Sequence, residues 1–175
     1  MRGEVLTVKF HPLLSYRILA PVAAMLACDQ VSKVVARSCL SSSRPPILFG
    51  GLLSMPLARN FGSFLGLGSH SPSWVRFLVF SVGGWIGVGL CLLFLAVRDL
   101  LSDNVIIALQ LILAGTLGNQ IDRILFHGAV TDFLFLSAGP VHTGIFNIAD
   151  MMIMAGSGLV LVESVMNSRR KATNC

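Results

Sequence analysis

The stretch FLVFSVGGWIGVGLCLLFLAV, Phe77 to Val97, contains no charged residue, and its reading decides the fold. A helix needs roughly 20 mainly apolar residues to cross the hydrocarbon core of a bilayer. This run is long enough, and a helix that is apolar on every side suits lipid better than the small core a short chain can build. The whole sequence points the same way. Its 175 residues are 54% hydrophobic and 12% charged, with a mean hydropathy of +0.80, which exceeds what a soluble core of this size uses.

Working outward, three further segments have the same character. The first runs from about Leu13 to Ala36 and is interrupted by Pro21, which neighbouring helices in a bundle can accommodate. The third spans Asn104 to Ile121, with a polar end reaching residue 124, and the fourth spans Phe146 to Val165. The expectation is an all-α membrane protein: residues 1–175 form a single integral membrane domain, a four-transmembrane-helix bundle. Gly83, Gly84, Gly87, Gly89, Gly115 and Gly118 are candidates for close helix approach. The amino terminus imitates a secretory signal, but no small-x-small site closes its apolar run, so it reads as a retained first span. The long connection from Ser38 to Ser73 mixes SSSRPP with ILFGGLLSMPL, a pattern that suits a small sheet or an interfacial platform lying on the membrane, and the expectation is a small β-rich extracytoplasmic cradle between helices one and two.

The net charge is +5, but the basic residues are scattered and lack interleaved aromatic residues. That argues against a nucleic-acid partner and for contact with lipid headgroups. Cys28, Cys39, Cys91 and Cys175 have no paired spacing, so neither a disulfide framework nor a zinc site is expected. His70, His127 and His142 lack metal-ligand spacing, and Ser63 lacks the context of a nucleophilic serine. Four spans put both termini on one side. Arg2, Lys9, Arg17, Arg98, Arg169, Arg170 and Lys171 gather there, against Lys33, Arg37, Arg44, Arg59, Arg76 and Arg123 opposite, a balance that tilts the termini toward the cytoplasm.

The acids are less evenly placed. Asp29, Asp122, Asp132 and Asp150 all fall near the non-cytoplasmic end of the bundle. Placing an Asp at a membrane-helix centre costs roughly 2.5–3.5 kcal/mol, so such a gathering suggests a site. Asp29 and Lys33 are spaced i,i+4 for an ion pair, which serves either structure or chemistry. Asn119, Asp122 and Arg123 share about one turn; Arg123 suits a helix carboxyl end and can reach headgroups, whereas Asp122 there is unfavourable unless Arg123, Lys33 or another donor pairs with it. Asp150 with Asn147 reads equally as a helix cap or as a reacting group. Asp132 reads as a loop acid or as its partner. Two carboxylates meeting in a dry site share one proton; the charged one then activates water while the protonated one polarises a carbonyl.

Four blocks of sequence resemble a known family. DQVSK (Asp29–Lys33), RNFGSFLG (Arg59–Gly66), GNQIDR (Gly118–Arg123) with GAVTDF (Gly128–Phe133), and FNIAD (Phe146–Asp150) occur in the order seen in lipoprotein signal peptidases, or signal peptidase II. The resemblance implies an inner-membrane aspartic endopeptidase that removes signal peptides from bacterial prolipoproteins just before a diacylglyceryl-modified cysteine. It makes Asp132 and Asp150 the catalytic dyad, oriented by Asn119 and Asn147. Asp29, Lys33, Asp122 and Arg123 resemble the supporting polar network, and Asn60 and Gly62 resemble part of the substrate cradle. It also implies no metal or cofactor, a monomer among membrane lipids, and a site near the extracytoplasmic face.

Two features depart from the family pattern. Four residues rather than the usual three separate Arg123 from Gly128, and Phe64 and Leu65 stand where a small residue and Phe are usual. If the extra residue extended the helix, Asp132 would turn by about 100°; a loop would absorb it. On the residues alone, an inactive homologue that binds lipidated peptides and a small ion- or proton-conducting bundle remain alternatives.

Overall fold

The computed structural model describes residues 15–63 and 66–173. Arg2, Lys9, Leu13, Phe64, Leu65 and Cys175, to which expectations were attached, lie outside the described residues, as does the side chain of Lys171.

Among the described residues, four helices are long and apolar enough to cross a bilayer: α1 (Tyr16–Cys39), α2 (Ser73–Ala96), α3 (Asp103–Leu125) and α4 (Ile148–Thr173). The boundaries differ from the hydropathy limits where local chemistry overrides hydropathy. Pro72 stands directly before α2 and lets the helix begin four residues ahead of the apolar run. Phe146 does not open α4, because its backbone pairs in both directions with Leu134, at 2.9 Å each way. Within its apolar stretch α3 is 50% buried, against 17–22% for the other three, so it is the central helix and packs on all of them. Val31 and Val35 of α1, Leu78, Ile86 and Leu93 of α2, and Leu161 and Val162 of α4 are exposed on the outside, the arrangement a lipid solvent requires. Ile18, Val22, Val88, Cys91, Leu95, Leu109 and Leu113 form an apolar core in the half of the bundle that holds the start of α1 and the end of α2. Cys28, Cys39 and Cys91 are free thiols. Of the glycines expected at helix contacts, Gly84, Gly115 and Gly118 sit at close approaches, whereas Gly87 and Gly89 face open space.

Pro21 lies inside α1, where it has no N–H to offer the carbonyl of Arg17 one turn earlier. Gln110 of α3 fills that gap, its Nε2 donating to the Arg17 carbonyl at 3.0 Å. Replacing Gln110 with Leu is therefore expected to cost about 1 kcal/mol of stability. The cost should shrink in a Pro21→Ala background, where the restored N–H takes over. Thermal unfolding of the four proteins of that cycle in one detergent measures the coupling.

The cradle draws on two loops rather than one. Strands β1 (Ile47–Leu48), β2 (Leu53–Ser54) and β3 (Ala58–Asn60) come from the connection between α1 and α2; β4 (Val130–Asp132), β5 (Phe135–Ala138) and β6 (Val141–His142) come from that between α3 and α4. The sheet orders are β1-β2-β5-β6 and β3-β4, antiparallel throughout. The physical reason is that strands of two to four residues leave most of their backbone groups unpaired within one loop, so the second loop supplies the partner edge. In β3-β4, Ala58 stands opposite Asp132 and Asn60 opposite Val130.

The additional residue before Gly128 does not lengthen α3. The helix ends at Leu125, Phe126 leaves the helical region, and His127 and Gly128 take φ of 53° and 95°. Gly128 N–H donates back to the Arg123 carbonyl at 2.8 Å, the 6→1 closure that terminates helices through a left-handed residue. A turn absorbs the insertion, and Asp132 is delivered by β4 in register.

Candidate active site

The end of α1, the end of α3, the start of α4 and strand β4 converge at one end of the bundle, and almost every polar residue singled out from the sequence is buried there. Asp29, Lys33, Asn119, Asp122, Arg123, Asp132, Asn147 and Asp150 are all buried. Asn60 and Gly62 reach the same cluster from β3 and the residues just after it.

Asp29 and Lys33 form the expected i,i+4 ion pair, at 2.9 Å. Asp29 does more than pair: its other oxygen accepts the N–H of Ala149 at 2.9 Å, so a residue of α1 caps the first turn of α4. Gln30 braces the arrangement, donating to Asp29 and to the Gly118 carbonyl, both at 3.0 Å. Gly118 is required here, because a Cβ would run into the Asp29 carboxylate. Lys33 also donates to Asn119 Oδ1 at 3.0 Å and lies 3.7 Å from Asp122.

Asp122 pairs with Lys33, one of the partners its position calls for, and gains a further donor that the sequence did not name. Thr131 N–H donates to it at 2.8 Å, tying β4 to the end of α3, and Arg37 lies 3.8 Å away while donating to Thr131 Oγ1 at 3.0 Å. Arg123 does not reach toward headgroups as expected. It is buried and donates to the Gly62 carbonyl at 3.1 Å, because the cradle folds over the end of α3 and offers an unfilled acceptor there.

Asn147 occupies the centre. Its Oδ1 accepts from Asp150 N–H at 3.0 Å, and Asp150 Oδ2 accepts from Asn147 N–H at 3.2 Å, a reciprocal cap at the start of α4. The Asn147 side-chain amide donates to Asp132 Oδ1 at 2.6 Å and to Asn119 Oδ1 at 3.2 Å. Asn119 in turn donates to Asp150 Oδ1 at 2.9 Å. Asn60 donates to the second Asp132 oxygen at 2.9 Å and accepts from Gly62 N–H at 2.8 Å. Asp132 and Asp150 therefore stand on either side of one asparagine, and each accepts two N–H donors. Capping and a reactive role for Asp150 are compatible, since the cap uses Oδ2 and the Asn119 amide uses Oδ1.

The Asp132 carboxyl is pushed up to about 7. Burial is the main cause and the Asp150 charge adds to it; the amides of Asn60 and Asn147 and the Lys33 charge pull the other way.

Thr131, Arg37 and Gln30 belong to the site but were not anticipated. A signal existed for the first: an aspartate at a helix carboxyl end opposes the helix dipole and demands donors, and the adjoining loop was the place to look. Arg37 and Gln30 carry no such mark, because their partners are carbonyls, hydroxyls or residues already paired.

The comparisons with known proteins agree with one another. A sequence profile of the family described as Signal peptidase (SPase) II matches residues 21–166. A protein named Lipoprotein signal peptidase from Syntrophus aciditrophicus (strain SB) is 35% identical over 164 residues, covering 92% of this chain and 98% of its own. One of the same name from Cronobacter sakazakii (strain ATCC BAA-894) is 34% identical over 165 residues, covering 93% and 98%. A solved bacterial membrane enzyme, determined by the in meso method at 2.3 Å resolution, superimposes with a TM-score of 0.77 at 23% identity over 94% of this chain and 96% of its own, which shows a shared fold.

Proposed function

This chain belongs to the signal peptidase II family and is a multi-pass bacterial membrane protease of prolipoprotein signal peptides; from that premise we propose that it works as an aspartic endopeptidase, with Asp132 and Asp150 as its catalytic dyad. The observation that carries this reading is the pair of buried carboxylates bracketing Asn147, each held by two N–H donors. Charge balance supports a single shared proton. Four carboxylates, Asp29, Asp122, Asp132 and Asp150, face three cations, Lys33, Arg37 and Arg123, so one proton on the dyad brings the cluster to neutrality. We assign that proton to Asp132, whose carboxyl is pushed up to about 7 by burial and by the Asp150 charge. Asp150 carries the charge at the amino end of α4, where the helix dipole favours it.

In the reaction, ionised Asp150 takes a proton from a water between the two carboxyls, and protonated Asp132 donates to the oxygen of the scissile carbonyl. The water oxygen bonds to the carbonyl carbon to give a gem-diol. As the C–N bond breaks, Asp150 passes its proton to the leaving nitrogen and Asp132 takes one back from a gem-diol hydroxyl, which restores the single shared proton. Both Asp132 oxygens already accept from amides, so the acidic proton uses the remaining lone pairs, which restricts where the carbonyl can sit. Asn119 and Asn147 orient the dyad, Asn60 and Gly62 form the wall of the cradle, and Asp29, Lys33, Asp122 and Arg123 hold the helix ends around it. The bond cut lies just before the diacylglyceryl-modified cysteine, whose acyl chains stay in the bilayer. The protein is one membrane domain in the inner membrane, with cytoplasmic termini and its site near the extracytoplasmic face. The exposed Ile47, Phe49 and Leu52 of the cradle suit contact with that membrane surface.

The test is cleavage of a lipidated precursor peptide by the purified full chain, compared with its Asp132→Asn variant and with an unlipidated precursor. Turnover by the variant at the wild-type rate sinks the dyad. Binding of the lipidated peptide with no cleavage by wild type favours an inactive homologue instead.

The pH dependence follows from the same geometry. Activity requires the shared proton, so kcat/KM falls as pH rises through an apparent value of about 7 that belongs to the pair. Asn60 donates to the ionised form of Asp132 and lowers its pKa. Asn60→Ala is therefore expected to move the alkaline limb to higher pH, and a shift to lower pH contradicts the assignment.

A further inference from the structure

A cavity of about 480 Å³ lies between the start of α2 and the end of α3, beside the dyad but not lined by it. Its α2 wall is unusual. Residues Phe77–Val82 wind as a π-helix, a wider turn that recurs at functional sites, and Phe77, Ser81 and Val82 of that stretch face the cavity. Gln120 of α3 holds this wall. It is 1% exposed, and its Nε2 donates to the carbonyl of Phe80 at 2.8 Å in the middle of the π turn. Its Oε1 has no hydrogen-bond partner among the described residues, so this one bond fixes the amide against α2. Gly84 is what lets it approach, because a Cβ there would overlap the Gln120 amide.

We propose that Gln120 is a specificity-determining residue: by holding the π-helical wall it sets the width of a subsite for an acylglyceryl group. The proposal rests on the peptidase reading above and names where the substrate's lipid is measured. The chemistry of the lining selects this class of ligand. Phe61, Phe77 and Trp85 supply an apolar body, Arg76 and Arg123 supply cationic donors, and no carboxylate among the described residues lines the space. A ligand with an apolar chain and accepting oxygens, such as an acyl ester, matches that set; an ammonium, which no carboxylate faces, does not. Phe61 also links the cavity to the reacting groups. It sits between Asn60, which donates to Asp132, and Gly62, whose carbonyl holds Arg123.

In the Gln120→Leu variant the new side chain fills similar volume but cannot donate to the Phe80 carbonyl. The π stretch is then free to rewind as α-helix, which turns its side chains by up to about 100° and narrows the cavity. The test uses the full chain in phospholipid-free detergent micelles with two diacylglyceryl precursors, one with long acyl chains and one with short. Gln120→Leu is expected to raise KM about fivefold for the long-chain precursor and less than twofold for the short, with kcat changed less than twofold for both. Backbone hydrogen exchange across residues 77–85 should change in the same variant. Val82→Trp, which narrows the cavity from α2 and leaves the Gln120 amide and the Phe80 carbonyl in the sequence, should reproduce the chain-length selectivity and keeps the idea testable if the first variant folds poorly.

Equal KM shifts for both precursors, or none in either variant, overturn the proposal while leaving the peptidase reading intact. Wild-type protein that cleaves neither precursor sinks both. Addition of phospholipid distinguishes the two sources of an acylglyceryl group. Selectivity that persists without phospholipid assigns the cavity to the substrate, whereas selectivity that arises only on its addition assigns it to bulk lipid and overturns the substrate assignment.

Discussion

Asp132→Asn is expected to lower kcat by about 10³-fold or more while leaving KM for the lipidated precursor within a fewfold, because it removes a proton donor and leaves the binding surface in place. The substitution changes one oxygen to an amide, yet the surroundings make it far from neutral. Both Asp132 oxygens accept from side-chain amides, one from Asn147 and one from Asn60. An asparagine must turn its own NH2 toward one of those donors. Neither neighbour can flip freely to receive it: Asn60 Oδ1 is occupied by Gly62 N–H and Asn147 Oδ1 by Asp150 N–H. The variant thus loses its acidic proton and gains a donor–donor conflict of about 1–3 kcal/mol. Asp150→Asn meets the same obstacle, since both its oxygens accept N–H donors. Far-ultraviolet dichroism and thermal unfolding separate the catalytic loss from the structural one. Full activity in a correctly folded Asp132→Asn protein removes Asp132 from the mechanism, and loss of activity only in parallel with unfolding reduces it to a structural acid.

The four spans were readable because a bilayer imposes one demand that hydropathy records directly, a long apolar run for every crossing. The acids of the site were readable for the converse reason: Asp29, Asp122 and Asp150 stand beside such runs, where an isolated charge is costly. The cradle was only half readable. Strands of two to four residues have no periodicity to detect, and the pairing of β3 with β4 joins residues about 70 positions apart. The fate of the extra residue before Gly128 depended on whether His127 would accept a left-handed φ, which hydropathy does not record. Gln110 and Gln120 look alike in sequence, as polar residues inside a span. Only tertiary placement shows that one repairs the gap left by Pro21 and the other props the wall of α2.

Lys33→Met is expected to be the most destabilising single change in the cluster, by about 3–5 kcal/mol, because it strips a fully buried cation from between two buried carboxylates. Lys33 sits 2.9 Å from Asp29, 3.0 Å from Asn119 Oδ1 and 3.7 Å from Asp122. Methionine matches the shape of the stem but leaves two carboxylates with less compensation, and it releases the Asn119 side chain that orients Asp150. The loss should be partly recovered in the Asp29→Asn/Lys33→Met double variant. The asparagine side chain introduced in α1 keeps an oxygen for the Ala149 N–H, so the cap on α4 survives while one uncompensated charge is removed. A double variant more stable than Lys33→Met alone, in thermal unfolding in a single detergent, establishes that the cost is electrostatic; additive losses place it in packing instead. The residual activity carries a second signature. The Lys33 charge lowers the Asp132 pKa, so its removal raises that value and shifts the alkaline limb of kcat/KM upward, in the same direction as Asn60→Ala. A limb that stays in place shows that Lys33 builds the scaffold without tuning the dyad.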